Sequence, residues 1–145
     1  MAKAKNNLVP GQESHDKLLE NIVNRLFEKD KYDIILKNIN YQVKGCYNKT
    51  YIGEIDILAR NKKDLSWLFV EVKSNPYGDK NRARRQYKRF CYAYPCMNQT
   101  GILVYPDIEK GLDYLHCKRF KNPFALNDSP SYLPSKTMTI SPFLG

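Results

Sequence analysis

The chain has 145 residues, 42% of them hydrophobic and 27% charged, with a formal net charge of +9. One domain with a single buried core fits that length, and the composition excludes wholesale disorder. The charge favours a polyanionic partner, nucleic acid first, but says nothing of fold.

No apolar run is long enough to cross a bilayer, and M-A-K-A-K-N-N-L-V-P lacks the apolar core of a signal peptide. An intracellular protein of the cytoplasm or nucleoid, with no membrane partner, is therefore expected. Cys46, Cys91, Cys96 and Cys117 form no compact C-x2-C pair, so ordinary reduced thiols are expected rather than structural zinc. His15 and His116 are the only histidines, and neither has a partner pattern for acid–base work. The absence of a phosphate-cradling Gly-rich loop argues against a nucleotide cofactor.

In chain order, residues 1–12 read as a polar arm. A helix follows from Ser14, a fair N-cap, to about Lys29, with an apolar stripe of Leu18, Leu19, Ile22, Val23, Leu26 and Phe27. Two β-rich segments come next, Y-D-I-I-L-K-N-I-N-Y-Q-V-K-G and Y-I-G-E-I-D-I-L-A-R, separated by a hairpin loop over 45–50. After the turn N-K-K-D, W-L-F-V-E-V-K-S reads as a third, buried strand, which makes an antiparallel meander. Residues 79–94 return to helical period, with Ala83, Tyr87, Phe90 and Tyr94 on one face and Pro95 ending the run. G-I-L-V-Y over 101–105 is a short strand and 112–117 another. The domain thus spans 13–120, and the Pro-rich segment 121–145 is a tail with little regular structure. Helix, three strands, helix, strand gives an α/β sandwich with a mixed sheet flanked by helices.

The chemistry concentrates on the second and third strands. Alternation puts Ile55, Ile57 and Ala59 on one face of the second strand and Glu54, Asp56 and Leu58 on the other. Glu71 and Lys73 share a face at the end of the third strand, so hairpin pairing lets Asp56 and Glu71 meet. Two adjacent carboxylates resist ionising unless a cation offsets them. Mg²⁺, with its preference for oxygen ligands and retained water, suits such a pair when a phosphate completes the shell. Lys73 is placed to orient or deprotonate the attacking water, or to stabilise charge building on phosphorus. A surface salt bridge is the plainer explanation of one charged pair, but the spacing D-x14-E-x-K on two apolar strands outweighs it.

Asp56…Glu71-Val72-Lys73 resembles the PD-(D/E)XK nuclease signature. G-E-I-D-I-L-A-R and F-V-E-V-K-S together resemble the bacterial YraN-type family, related to archaeal Holliday junction resolvases, over roughly residues 18–92. Ile55 stands where that signature has Pro. The resemblance implies a restriction-endonuclease-like core, with Asp56, Glu71 and the Val72 carbonyl holding Mg²⁺ or a substituting Mn²⁺, and Lys73 serving the water. It also implies a glutamate on the first helix, and matching E-N-I-V-N-R-L-F selects Glu20, with Glu13 as rival. The basic run D-K-N-R-A-R-R-Q-Y-K-R holds six positive charges against one negative. Directly after the acid cluster, Lys80, Arg82, Arg84, Arg85, Lys88 and Arg89 suit a phosphate clamp. Gln86 matches the polar residue that related nucleases carry on this helix, whereas Phe90 replaces the Tyr of RecB-type exonucleases.

The expected function is therefore a metal-dependent DNA endonuclease. Branched DNA such as a Holliday junction leads as substrate by family analogy, and symmetric cutting would require a homodimer. The alternatives are a nuclease for single strands or RNA, and a non-catalytic nucleic-acid-binding module on the same fold.

Overall fold

A computed structural model of the chain describes residues 10–75 and 80–124, with side chains from residue 14. Most of the expected N-terminal arm, the Glu13 side chain, Asp79 and the tail beyond Phe124 lie outside the described residues. Helix α1 spans Pro10–Glu28. It is followed by strands β1 (Tyr32–Lys44), β2 (Thr50–Asn61) and β3 (Trp67–Val72), helix α2 (Lys80–Ala93), and strands β4 (Gln99–Asp107) and β5 (Gly111–Arg119). The five strands form one sheet in sequence order. β1, β2 and β3 pair antiparallel, β4 runs parallel to β3, and β5 returns antiparallel. The parallel step needs a crossover, and α2 supplies it. This is the expected mixed sheet flanked by helices, an α/β fold consistent with a restriction-endonuclease-like core.

Each helix covers one face. Leu18, Leu19, Ile22 and Leu26 of α1 pack on Leu68, Val70, Val72, Ile102 and Val104. Ala83, Tyr87, Phe90 and Cys91 of α2 pack on the alternate residues Phe69 and Leu103 of the same strands. Buried on both sides, β3 is almost wholly apolar until Glu71.

Four local expectations change. Helix α1 begins at Pro10 rather than Ser14, with a proline in its first turn, where a missing N–H costs nothing. Phe27 is 77% exposed, so the stripe ends at Leu26. β4 and β5 outrun their apolar cores, because hairpin pairing from Ile102↔Arg119 to Asp107↔Gly111 carries polar residues into the ladder.

The fourth change concerns β2. Ile55 joins the α2-side cluster while Ile57 joins the α1-side one, although strict alternation puts them on one face. The break falls at Asp56. Opposite it, the registered pairs pass from Lys37↔Ile57 to Ile39↔Ile55, skipping Asn38, whose φ is 51°. Asn tolerates that left-handed conformation better than most residues. Beyond the break the distal hairpin turns to the α2 side, with Tyr41 packing edge-on against Phe90 at 5.8 Å.

Tyr87 links α2 to the sheet. Its ring stacks on Phe120 at 5.3 Å and lies 5.1 Å from Phe69. A Cβ on Gly101 would stand 2.3 Å from a Tyr87 ring carbon. Gly101→Ala is therefore expected to destabilise the fold by about 1–3 kcal/mol, read from the midpoint of urea denaturation.

Candidate active site

The β2–β3 ladder runs from Arg60↔Trp67 to Ile57↔Val70 and stops there. β3 continues to Val72, still paired with β4. The next β2 residue, Asp56, accepts the Val72 N–H on its Oδ2 at 2.8 Å. A carboxylate thus replaces the backbone acceptor that a continued ladder would have offered, and the buried strand end keeps its donor satisfied.

Glu71 lies in the opening so made. It is 6% exposed, and burial followed by the nearby Asp56 charge pushes its carboxyl up to about 8. Lys73, His15 and Arg82 oppose that shift without cancelling it. The Lys73 ammonium is 3.9 Å from Glu71 Oε2, so the acid and base at the end of W-L-F-V-E-V-K-S share one space.

His15 completes the cluster from α1. Its Nε2 approaches Asp56 Oδ2 at 3.5 Å. The hydrogen bond to Asp56 raises the imidazole pKa against the effect of burial, with smaller help from the charges of Asp56, Asp16 and Glu71. The expectation that His15 has no acid–base partner is corrected. The signal lay in the helical period, because His15 continues the Leu18, Ile22, Leu26 stripe back by one turn.

Asp56, Glu71 and Lys73 are brought together, with Val72 between the last two. Glu20 is not brought to them: more than half exposed, it forms an ion pair with Lys37 of β1. Its place a turn and a half beyond His15 carries it off the face that meets Asp56. On α2, Arg82 is close enough to weigh on Glu71. Lys80 lies over the Tyr105 ring at 4.7 Å, Arg84 donates to Asn81 at 2.7 Å, and Lys88 lies 6.0 Å from the Tyr92 ring. Arg85 and Arg89 are exposed, and Gln86 is half-buried with an unpartnered Oε1.

Among the described residues no three His, Cys, Asp or Glu side chains converge as an all-protein metal cage. The donors that remain are the Asp56 and Glu71 carboxylates and the Val72 carbonyl. That hard, oxygen-only and incomplete set fits Mg²⁺ or Mn²⁺, which take one or two carboxylates and fill the rest with water and phosphate.

Folded Glu71 holds its proton to about 8 against an ordinary 4.5, so its contribution to stability is complete below about 4.5. It is lost as pH rises through 8, by at most about 1.4 kcal/mol per pH unit. His15, also raised, acts in the same sense. In EDTA the thermal midpoint is expected to fall from pH 5 to 8.5, and Glu71→Gln to flatten the profile. A level wild-type profile would show that Glu71 ionises like an exposed acid.

No helix among the described residues is long and apolar enough to cross a membrane. Comparison with curated proteins finds no match. A family model described as "Uncharacterised protein family UPF0102" matches residues 19–93, which hold Asp56, Glu71, Lys73 and all of α2. With just over half of its length covered, the chain belongs to that YraN-like family within the PD-(D/E)XK nuclease superfamily.

Proposed function

We propose that the chain is a metal-dependent endonuclease that hydrolyses phosphodiester bonds in DNA, with branched DNA favoured. One observation carries this reading: a buried carboxylate, Glu71, is set beside Asp56 and 3.9 Å from the Lys73 ammonium where two strands part. A binding module has no use for an acid cluster that raises the free energy of its own ionised form.

Asp56, Glu71 and the Val72 carbonyl would hold the cation, Mg²⁺ or Mn²⁺. When bound, it offsets the two carboxylates and polarises the scissile phosphate. Asp56 keeps its Oδ2 fixed through the Val72 N–H. Lys73 orients the attacking water, or takes its proton when neutral, or as the ammonium stabilises the negative charge that builds on the phosphoryl oxygens. His15 orients Asp56 from the α1 side. The exposed arginines of α2 hold the backbone without reading bases, so selectivity follows shape. Symmetric cutting of a junction would call for two copies of the chain.

The reading is tested by incubating wild type, Asp56→Asn and Lys73→Ala with linear duplex, single-stranded and four-way-junction DNA, in Mg²⁺, Mn²⁺ or EDTA. Metal-dependent cutting by the wild type is expected, reduced about a hundredfold or more in either variant. Cutting that survives EDTA or Asp56→Asn would overturn it. Replacing Arg85 and Arg89 together by Ala should lower the slope of log affinity against log salt by about two on duplex DNA.

A further inference from the structure

The strand registers carry the candidate site sideways across the sheet. Val72 faces Val104 in the parallel pair, and the Lys73 N–H donates to the Val104 carbonyl at 2.9 Å, which sets Tyr105 beside Lys73. Tyr105 in turn faces His116 on β5. Alternation places Glu71, Tyr105, His116 and Tyr114 all on the α2 side. The Tyr105 and His116 rings stack at 5.2 Å and 24°, and Tyr114 meets His116 edge-on at 5.2 Å. The outermost ring, Tyr114, is 48% exposed.

This row is fixed in place, with a lysine over each tyrosine. Asp107 Oδ1 lies 2.8 Å from His116 Nε2, while its Oδ2 accepts the N–H groups of Glu109 and Lys110 at 3.0 Å each. One carboxylate thus ties the ring ladder to the turn before β5. Lys80 Nζ stands 4.7 Å from the Tyr105 ring centre and Lys110 Nζ 5.0 Å from that of Tyr114. Cross-strand ring pairs stabilise any hairpin. Hairpin stability requires neither a half-exposed outer ring nor a lysine set over each tyrosine.

We infer that the exposed ring of Tyr114, backed by the mutually packed rings of His116 and Tyr105, is a stacking platform for an unpaired nucleobase, so that the strand entering the site is single-stranded on its β5 side. As a statement about substrate this rests on the nuclease reading; as a statement about binding it does not. β3 and β5 are two strand spacings apart, roughly 10 Å, or about three nucleotides at stacked spacing. A base–aromatic stack outweighs an exposed cation–π contact, so an arriving base displaces Lys110 from Tyr114 and leaves its ammonium for the adjoining phosphate. Bases inside a continuous duplex have no free face to offer. The platform therefore favours strands with flaps, gaps or opened arms over intact duplex.

The test is fluorescence anisotropy of the full chain in EDTA at fixed salt, with a labelled 15-nucleotide poly(dT) strand, an RNA strand of the same length and a 15-base-pair duplex. Both single strands are expected to bind more tightly than the duplex. Tyr114→Ala should weaken them at least about fivefold, Tyr114→Phe should restore them, and duplex affinity should not move. A thermal melt confirms that the exposed substitution leaves the fold intact. Unchanged single-strand affinity in Tyr114→Ala, or equal losses on single strands and duplex, would overturn the platform. Because no metal is present, Tyr114-dependent binding stands even if the wild type cuts nothing. Cleavage lost in Asp56→Asn but indifferent to Tyr114→Ala would overturn the platform's part in choosing the substrate and keep the nuclease.

Discussion

One hydrogen bond organises the centre of this molecule: the Asp56 carboxylate accepting the Val72 N–H. Had β2 continued beside β3, a backbone carbonyl would have taken that donor, and no space would have opened beside Glu71. Ending the ladder at Ile57↔Val70 leaves a donor that needs an acceptor and a gap that needs a lining. Asp56 answers both. The same residue marks the break of alternation in β2, so the distal hairpin swings to the α2 side while the proximal half stays under α1. Local geometry and charge placement have a common origin here.

The surroundings then decide what the charges can do. Apolar side chains hold β3 on both faces, so Glu71 cannot move out to water, and its ionisation is set by Asp56, Lys73, His15 and Arg82 together. Each comes from a different element: β2, the end of β3, α1 and α2. The cluster is therefore a property of the assembled sheet and both of its helices. No pair of adjacent elements holds it alone.

Much of this is legible in the sequence. The spacing of Asp56, Glu71 and Lys73 on two apolar strands, the stripes of both helices and the mixed sheet follow from period and turn chemistry alone. What escaped was non-local. Neither neighbour of Asp56, Ile55 or Ile57, announces that alternation fails there; Asn38, its opposite number on β1, carries the compensating backbone conformation. Glu20 fitted a helical pattern, but Lys37, seventeen residues away, claims it. His15 lay one turn beyond the stripe as read from Leu18, and only the meeting of α1 with β2 gives it meaning. The polar ends of β4 and β5 became strand because each other's backbone was available, a tertiary effect that residue propensity does not contain.

The order of the strands separates two kinds of constraint along the chain. The charged residues of the acid cluster come from α1, β2, the end of β3 and the start of α2, while β4 and β5 follow the matched family segment. Yet β3 is central, and without β4 its far edge would present a row of unpaired N–H and C=O groups on an apolar strand. A chain cut after α2 would keep the residues of the cluster and leave that edge open to pairing with any other strand. β4 must therefore be present as backbone, whereas the outward-facing side chains of β5 are bound by no such demand. The sheet thus carries the acid cluster on one side of β3 and, on the other, a rim whose side chains are free to vary without disturbing it.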